Sequence, residues 1–259
     1  MAVSLSDCYN FFGQVVVLVL IQLGGIGYMT FGSIVILSRK KELSPERTEV
    51  GRTVFSLPNS FRIDKFIRSV IAFTAIIEAL GVLALYPIFR GAGEPNALWS
   101  AIFHSISSFC TAGFSLYNTS FEGYADNFWL NMVVAILSYL GAIGFIVCVD
   151  YWQMLRGKTQ HTTLTSKIIL WSTLWLTIVG TSLIFLAEPC IQKKPIDERL
   201  LASFFQAMTA MTTVGFDTIS ISNFSKASLL VLTILMVIGA SPSGTGGAAQ
   251  PTSGAPRVG

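Results

Sequence analysis

Charge is what this sequence has least of. Only 12% of its 259 residues are Asp, Glu, Lys or Arg, about half of what a soluble domain uses to coat its surface. The shortage is concentrated. No charged residue occurs between Asp7 and Arg39, between Asp126 and Asp150, or between Lys167 and Glu188, and only Glu78 interrupts the stretch from Arg68 to Arg90. Each gap supplies the roughly 20 residues that cross a hydrocarbon core, and four such gaps exclude a lone signal peptide. Histidine is nearly absent too: His104 and His161 are far apart and make no catalytic pair. Cys8, Cys110, Cys148 and Cys190 share no metal-like spacing and read as free thiols. With no nucleophile–base arrangement, phosphate loop or metal-ligating set, the chain is not an enzyme, and no bound cofactor is expected.

The little charge present is sorted. The stretch 38–68 carries eight Lys and Arg and 153–167 carries three more, while "GAGEPN", "NTSFEGYADN" and "EPCIQKKPIDER" are mixed or acidic. The positive-inside rule puts the first two connections in the cytoplasm. The net charge of +3 therefore reflects topology, and no nucleic-acid surface is implied. The expectation is an all-α polytopic membrane protein in contact with lipid.

The chain also repeats itself. "AIFHSISSFCTAGFS" (101–115) aligns without gaps onto "SFFQAMTAMTTVGFD" (203–217), so Thr111, Gly113 and Phe114 meet Thr213, Gly215 and Phe216. "LGGIGYM" (23–29) aligns with "LGAIGFI" (140–146), after apolar runs beginning at Phe11 and Phe128, and "IGAS" (238–241) is a weaker third copy. Both complete units run apolar helix, short helix, Gly-containing loop, apolar helix. Counting back the same spacing from Gly24 lands at or before Met1, so the sequence reads as the end of one unit, one whole unit and most of a third.

Each unit suits a cation pore. Segments 97–110 and 199–212 are too short to span, and each leads into irregular backbone at membrane depth, tolerated only within protein or along water. The C-terminal end of a short helix favours cations. The following T-A-G-F or T-V-G-F turns carbonyl oxygens toward an ion, with Gly supplying backbone angles that side chains forbid. Asp217 belongs at the outer mouth, drawing in cations. One T-x-G-F is explained by a turn; two at a constant offset, each after a short helix, read as a selectivity filter.

The motifs "LIQLGGIGYMTF", "SISSFCTAGFSL", "QAMTAMTTVGFDT" and "IGASPSGTGG" resemble the pore subunit of the bacterial TrkH/TrkG/KtrB potassium-uptake superfamily, related to fungal Trk and plant HKT transporters. The likeness covers about residues 11 to 247. It implies repeated helix–pore-helix–filter loop–helix units of a pseudo-fourfold cation pore, usually in a homodimer, transporting K+ across the bacterial inner membrane. Thr111, Ala112, Gly113 and Phe114 would form the second filter quarter, and Thr213, Val214, Gly215 and Phe216 the third. Many relatives carry Asn at the position of Thr111, which leaves the backbone carbonyls in place. The resemblance further implies a cytoplasmic nucleotide-binding regulator of the TrkA/KtrA kind, docking on a surface that includes the basic loop 39–68.

The last apolar run, 227–240, is too short to cross and ends in Gly and Pro. Broken helices at the midplane are where transporters place ion sites and gates. The resemblance makes Gly239, Ala240, Ser241, Pro242, Ser243, Gly244, Thr245, Gly246 and Gly247 an intramembrane loop that gates the pore; the plainer reading is an exit loop. The expected division is 1–40, the second helix of a truncated first repeat; 41–68, a cytoplasmic basic connection; 69–155, a complete second repeat; 156–167, a cytoplasmic connection; 168–247, a third repeat ending in the gate loop; and 248–259, a low-complexity tail. Two filter quarters of four cannot close a ring of carbonyls, so the alternative is a non-conducting fragment that only assembles with an intact transporter. Absence of the first quarter leaves K+ against Na+ selectivity open. Glu78, midway along an apolar helix, reads as a structural group hydrogen-bonding a neighbouring helix. The Gly24, Gly25, Gly27 and Gly141, Gly144 clusters read as close-packing sites, and Asp150 and Trp152 as a cytoplasmic helix end at the interface.

Overall fold

The computed structural model describes residues 5–27, 63–157, 162, 164–239 and 245. These residues form helices and turns, with no strand among them. A single turn, α1 (Leu5–Cys8), precedes α2 (Phe11–Ile26). The middle unit comprises α3 (Ile63–Gly91), α4 (Ala97–Phe109), α5 (Phe128–Ile143) and α6 (Phe145–Leu155). The last comprises α7 (Leu164–Ala187), a turn α8 (Pro189–Gln192), α9 (Ile196–Thr212) and α10 (Lys226–Ile238). The two short pore helices expected at 97–110 and 199–212 are thus α4 and α9.

Among the described residues, two helices are long and apolar enough to cross a membrane: Arg68–Gly91 and Ser166–Ala187. The inner helices are shorter, with shared punctuation. Asn10, Asn127 and Ser225 cap α2, α5 and α10 by accepting from the N–H three residues on, which satisfies an otherwise unpaired donor. All three stop at an Ile-Gly pair, where Gly27, Gly144 and Gly239 have φ of 84°, 92° and 61° with extended ψ. That region is open essentially to glycine alone. A 16-residue helix rises about 24 Å, short of a hydrocarbon core of about 30 Å. The glycine stop expected at Gly239 thus ends all three of these helices, and after Gly144 the described chain resumes as α6.

Polarity is arranged inside out relative to a water-soluble bundle. Trp171, Leu174, Trp175 and Ile178 of α7 face outward, the surface a lipid solvent requires. The interior of α4 and α9 instead buries Ser100, His104, Ser105, Ser107, Ser108, Ser203, Gln206 and Thr209. Buried polar groups need partners within the protein, and three of these, His104, Ser107 and Gln206, bond the segments that follow the two helices.

Glycines let the layers touch. A Cβ on Gly81 would overlap Ser105 and press on Leu137, and one on Gly180 would lie 2.7 Å from Leu235 Cδ1. Helix α3 thus lies close on α4 and α5, and α7 close on α10 and, through Ala207, on α9. Of the glycines expected to pack, Gly25 sits against Cys110 and Gly141 against the Phe109 carbonyl. Gly24 has nothing within 4 Å, and Gly27 and Gly144 end helices. Asp150 accepts from Ser166 Oγ at 2.7 Å, joining α6 to α7, and Trp152 is exposed under the Arg156 guanidinium.

On the opposite side, Lys194 bridges Asp126 and Glu198 at 3.2 Å each. Glu188, 1% exposed, accepts from the N–H groups of Cys190 (3.3 Å) and Ser225 (3.0 Å), tying the end of α7 to the start of α10. Burial alone would raise its carboxyl. The hydrogen bonds from Ser228, Ser225 and Cys190 outweigh burial and hold it below the usual carboxylate range.

Candidate functional site

The two T-x-G-F stretches emerge from the C-terminal ends of α4 and α9 with the same backbone alternation. Thr111 (φ 48°) and Gly113 (φ 66°) are left-handed, as are Thr213 (φ 57°) and Gly215 (φ 80°). Ala112 and Val214 separate them. A threonine in that region is strained, and its recurrence at both equivalent positions marks a shape the surroundings impose. The two stretches face each other: a Cβ on Gly113 would overlap the Val214 carbonyl oxygen. Beyond them, Phe121 N–H donates to Asp217 O (2.9 Å), and Asp217 N–H to Ser120 Oγ (3.1 Å). These bonds clamp the exit of one stretch to the outer loop of the other. Asp217 lies just past Phe216, half-buried at this end.

Side chains of α4 and α9 hold these loops in place. Ser107 Oγ donates to Phe114 O at 2.8 Å. His104, fully buried, sets Nδ1 2.8 Å from Ser100 O and Nε2 3.1 Å from Ser115 Oγ. The carbonyl can only accept, so Nδ1 donates and Nε2 accepts. Tyr117 stacks on the imidazole at 4.9 Å and 15°. Gln206, its counterpart in α9, donates to Ile219 O at 3.2 Å. Sequence reasoning missed this brace by treating His104 only as a catalytic candidate. The available signal was the repeat alignment, which sets His104 on Gln206.

The phenylalanines that close the two stretches differ. Phe216 is fully buried against Phe121 (4.7 Å) and His104 (6.3 Å) of the preceding unit. Phe114 is 41% exposed and lines a cavity of about 610 Å³ with Tyr9, Val17, Ile21, Gly24, Ala112 and Thr245.

Of the expected gate loop, Gly239 and Thr245 are described; Ala240, Ser241, Pro242, Ser243, Gly244, Gly246 and Gly247 lie outside the described residues, as do the tail and most of the basic loop 39–68. Thr245 sits directly against the base of the first stretch. Thr111 Oγ1 donates to Thr245 Oγ1 (3.0 Å), Thr245 Oγ1 donates to Phe109 O (3.1 Å), and Thr245 N–H donates to Gly141 O (3.1 Å). A residue 134 positions downstream of Thr111 thus takes one of the last free carbonyls of α4. Among the described residues no cluster of His, Cys, Asp and Glu suits a metal ion. What this arrangement offers a cation is backbone oxygen.

Comparison with known proteins agrees with this architecture. The chain is 28% identical over 250 residues to the Ktr system potassium uptake protein B of Vibrio alginolyticus, covering 95% of this chain and 55% of that protein. It is 32% identical over 252 residues to the potassium/sodium uptake protein NtpJ of Enterococcus hirae, covering 96% and 55%. Its fold matches that of the potassium transporter TrkH of Vibrio parahaemolyticus with a TM-score of 0.63 at 17% identity, over 92% of this chain and 45% of that one. The chain spans about half the length of the curated relatives it matches. Those relatives are transporters, which agrees with the lack of a catalytic constellation. The profile of TrkH, a cation transport protein, matches residues 1–252, and the chain belongs to that family.

Proposed function

We propose that this chain forms part of the pore of a potassium uptake transporter, with Thr111–Phe114 and Thr213–Phe216 as two quarters of a backbone-carbonyl filter. The observation that carries this reading is the pair of matched left-handed Thr and Gly positions, facing each other at the ends of two short buried helices. Four equivalent loops arranged so would surround a dehydrated monovalent cation with oxygen. The loop 239–247 acts as the gate. Its Thr245 hydrogen bonds at the filter base support this, since an ion leaving the filter must pass them. Residues 69–155 and 168–247 serve as successive repeats, and 1–40 supplies the inner helix of another. The protein works as a multi-pass homodimer in the lipid of a bacterial cytoplasmic membrane. A nucleotide-binding regulator of the TrkA/KtrA kind docks on the basic loop 39–68, and Asp217 concentrates cations at the outer mouth.

The exposure of Phe114 favours a second reading for the chain taken alone. Its counterpart Phe216 is seated in the preceding unit, whereas Phe114 has no such seat within these residues. The isolated chain would then assemble with other repeats without conducting. One experiment addresses both readings. The intact protein and the chain 1–259 are expressed separately in a bacterium lacking its own potassium uptake, and K+ and Rb+ influx are measured. Influx from the intact protein alone supports both; none from folded, membrane-inserted intact protein refutes the transport reading.

A further inference from the structure

Glu78 lies buried in α3, outside the two T-x-G-F stretches. Its neighbours are specific. Gln22 Nε2 of α2 donates to Glu78 Oε2 at 3.1 Å. The Cys110 thiol points at both partners, 3.6 Å from Gln22 Oε1 and 3.9 Å from Glu78 Oε1. Ser105 Oγ of the pore helix donates to the Glu78 backbone carbonyl at 2.7 Å. Cys110 caps α4 and immediately precedes Thr111, and Gly25 of α2 closes on its sulfur. Three segments far apart in sequence therefore converge on the residue before the first filter position.

The same construction recurs behind the other quarter. Counting five residues back from the helix-ending glycines sets Gln22 on Tyr139. Counting three back from Gly81 and Gly180 sets Glu78 on Thr177. Tyr139 and Thr177 hydrogen-bond through their hydroxyls at 2.8 Å, and Thr177 Oγ1 reaches Met211 Sδ, near the end of α9, at 3.7 Å. In both places the inner helix of one repeat is tied by a polar bond to the outer helix of the next, behind the last turn of a pore helix. A group needed only for folding has no reason to recur with different chemistry at this one level.

Resting on the transport reading above, we infer that Gln22 and Glu78 are positioning residues for the second filter quarter. Their hydrogen bond holds Cys110, and through it the left-handed Thr111, so ion preference depends on the pair. The carboxyl acts through its hydrogen bonds, and an amide of the same shape replaces it.

The test uses the intact protein with Glu78→Gln, Glu78→Ala and Gln22→Ala, measuring KM and Vmax for K+ and the K+/Na+ preference. Glu78→Gln is expected to keep all three within about twofold, because the amide retains an acceptor for Gln22. Glu78→Ala and Gln22→Ala are expected to raise KM and reduce the preference by about tenfold each. Combining them adds little, because they break one interaction. A second readout is independent of flux: maleimide labelling of Cys110 with the other three cysteines replaced by serine. Cys110 is expected to be protected in the parent and in Glu78→Gln, and to react about tenfold faster in either alanine variant. Alanine variants with parental KM, preference and labelling overturn the inference, as does Glu78→Gln behaving like Glu78→Ala. If Glu78→Ala fails to accumulate, Gln22→Ala carries the test. A parent that transports nothing refutes the transport reading instead, while the labelling result still decides the tie.

Discussion

Gly113→Ala isolates the backbone geometry on which the filter reading depends. At φ 66° an alanine sits in the left-handed region at a cost of about 1–2 kcal/mol. Its methyl would also occupy the space of the Val214 carbonyl, and overpacking against fixed structure costs about 1–3 kcal/mol more. Together these come to about 2–5 kcal/mol. At 1.4 kcal/mol per factor of ten, that leaves the native loop about 30- to 4,000-fold less populated. Either backbone that yields belongs to the proposed filter, so the loss is expected in transport as well as in folding. Rb+ influx at limiting concentration should fall at least 30-fold. The melting temperature in detergent should drop by about 4–20 °C, since about 1 kcal/mol corresponds to about 2–4 °C in a chain of this size. Gly91→Ala, with nothing within 4 Å and no positive φ, is the control expected to be silent. A Gly113→Ala protein with parental influx and K+/Na+ preference would refute the reasoning.

Three other outcomes follow from the geometry. Adjacent glycines should part company: Gly24→Ala, with open space, stays neutral or gains up to about 1 kcal/mol of helix propensity, whereas Gly25→Ala, its methyl 2.6 Å from Cys110 Sγ, loses about 1–3 kcal/mol, both read by thermal melts. Thr245→Ala removes two side-chain hydrogen bonds at the base of the first T-x-G-F stretch, worth about 1 kcal/mol each; if 239–247 is the gate proposed above, it should open more readily, seen as roughly tenfold or greater resting K+ leak into liposomes. Glu188→Gln should cost about 1–3 kcal/mol at neutral pH, because charge-assisted bonds to buried N–H groups are lost. Its carboxyl is held below its ordinary value in the folded state, so that stability is fully present above the unfolded pKa of about 4.3. It disappears as pH falls through the depressed value, and melts of parent and variant should converge in acid.

Much of this site was legible in the one-dimensional pattern, because the chain says it twice. Reading the repeat of 101–115 on 203–217 located the two short helices α4 and α9 to within three residues and paired Thr111 with Thr213. Glu78 was read as bonding a neighbouring helix, and its partner is Gln22, but no periodicity could name a residue 56 positions away. Glycine was the harder case. Gly25 and Gly141 pack against main chain or side chain, while Gly27 and Gly144 end helices, yet all four lie in the same apolar motif. Only φ distinguishes them, and φ reflects what surrounds the residue. The repeated Ile-Gly pairs did hold the clue that inner helices break together, obscured because an apolar run without charge reads as continuous.

The seat of Phe216 has a temporal meaning. Its ring lodges among His104 and Phe121, residues made roughly a hundred positions earlier in the chain. During synthesis the receptacle therefore leaves the ribosome before the aromatic that fills it. That loop is received by a unit already made, so this step of assembly has a built-in direction. A late segment that is delayed leaves behind an empty socket, a greasy hollow that quality-control machinery can grip.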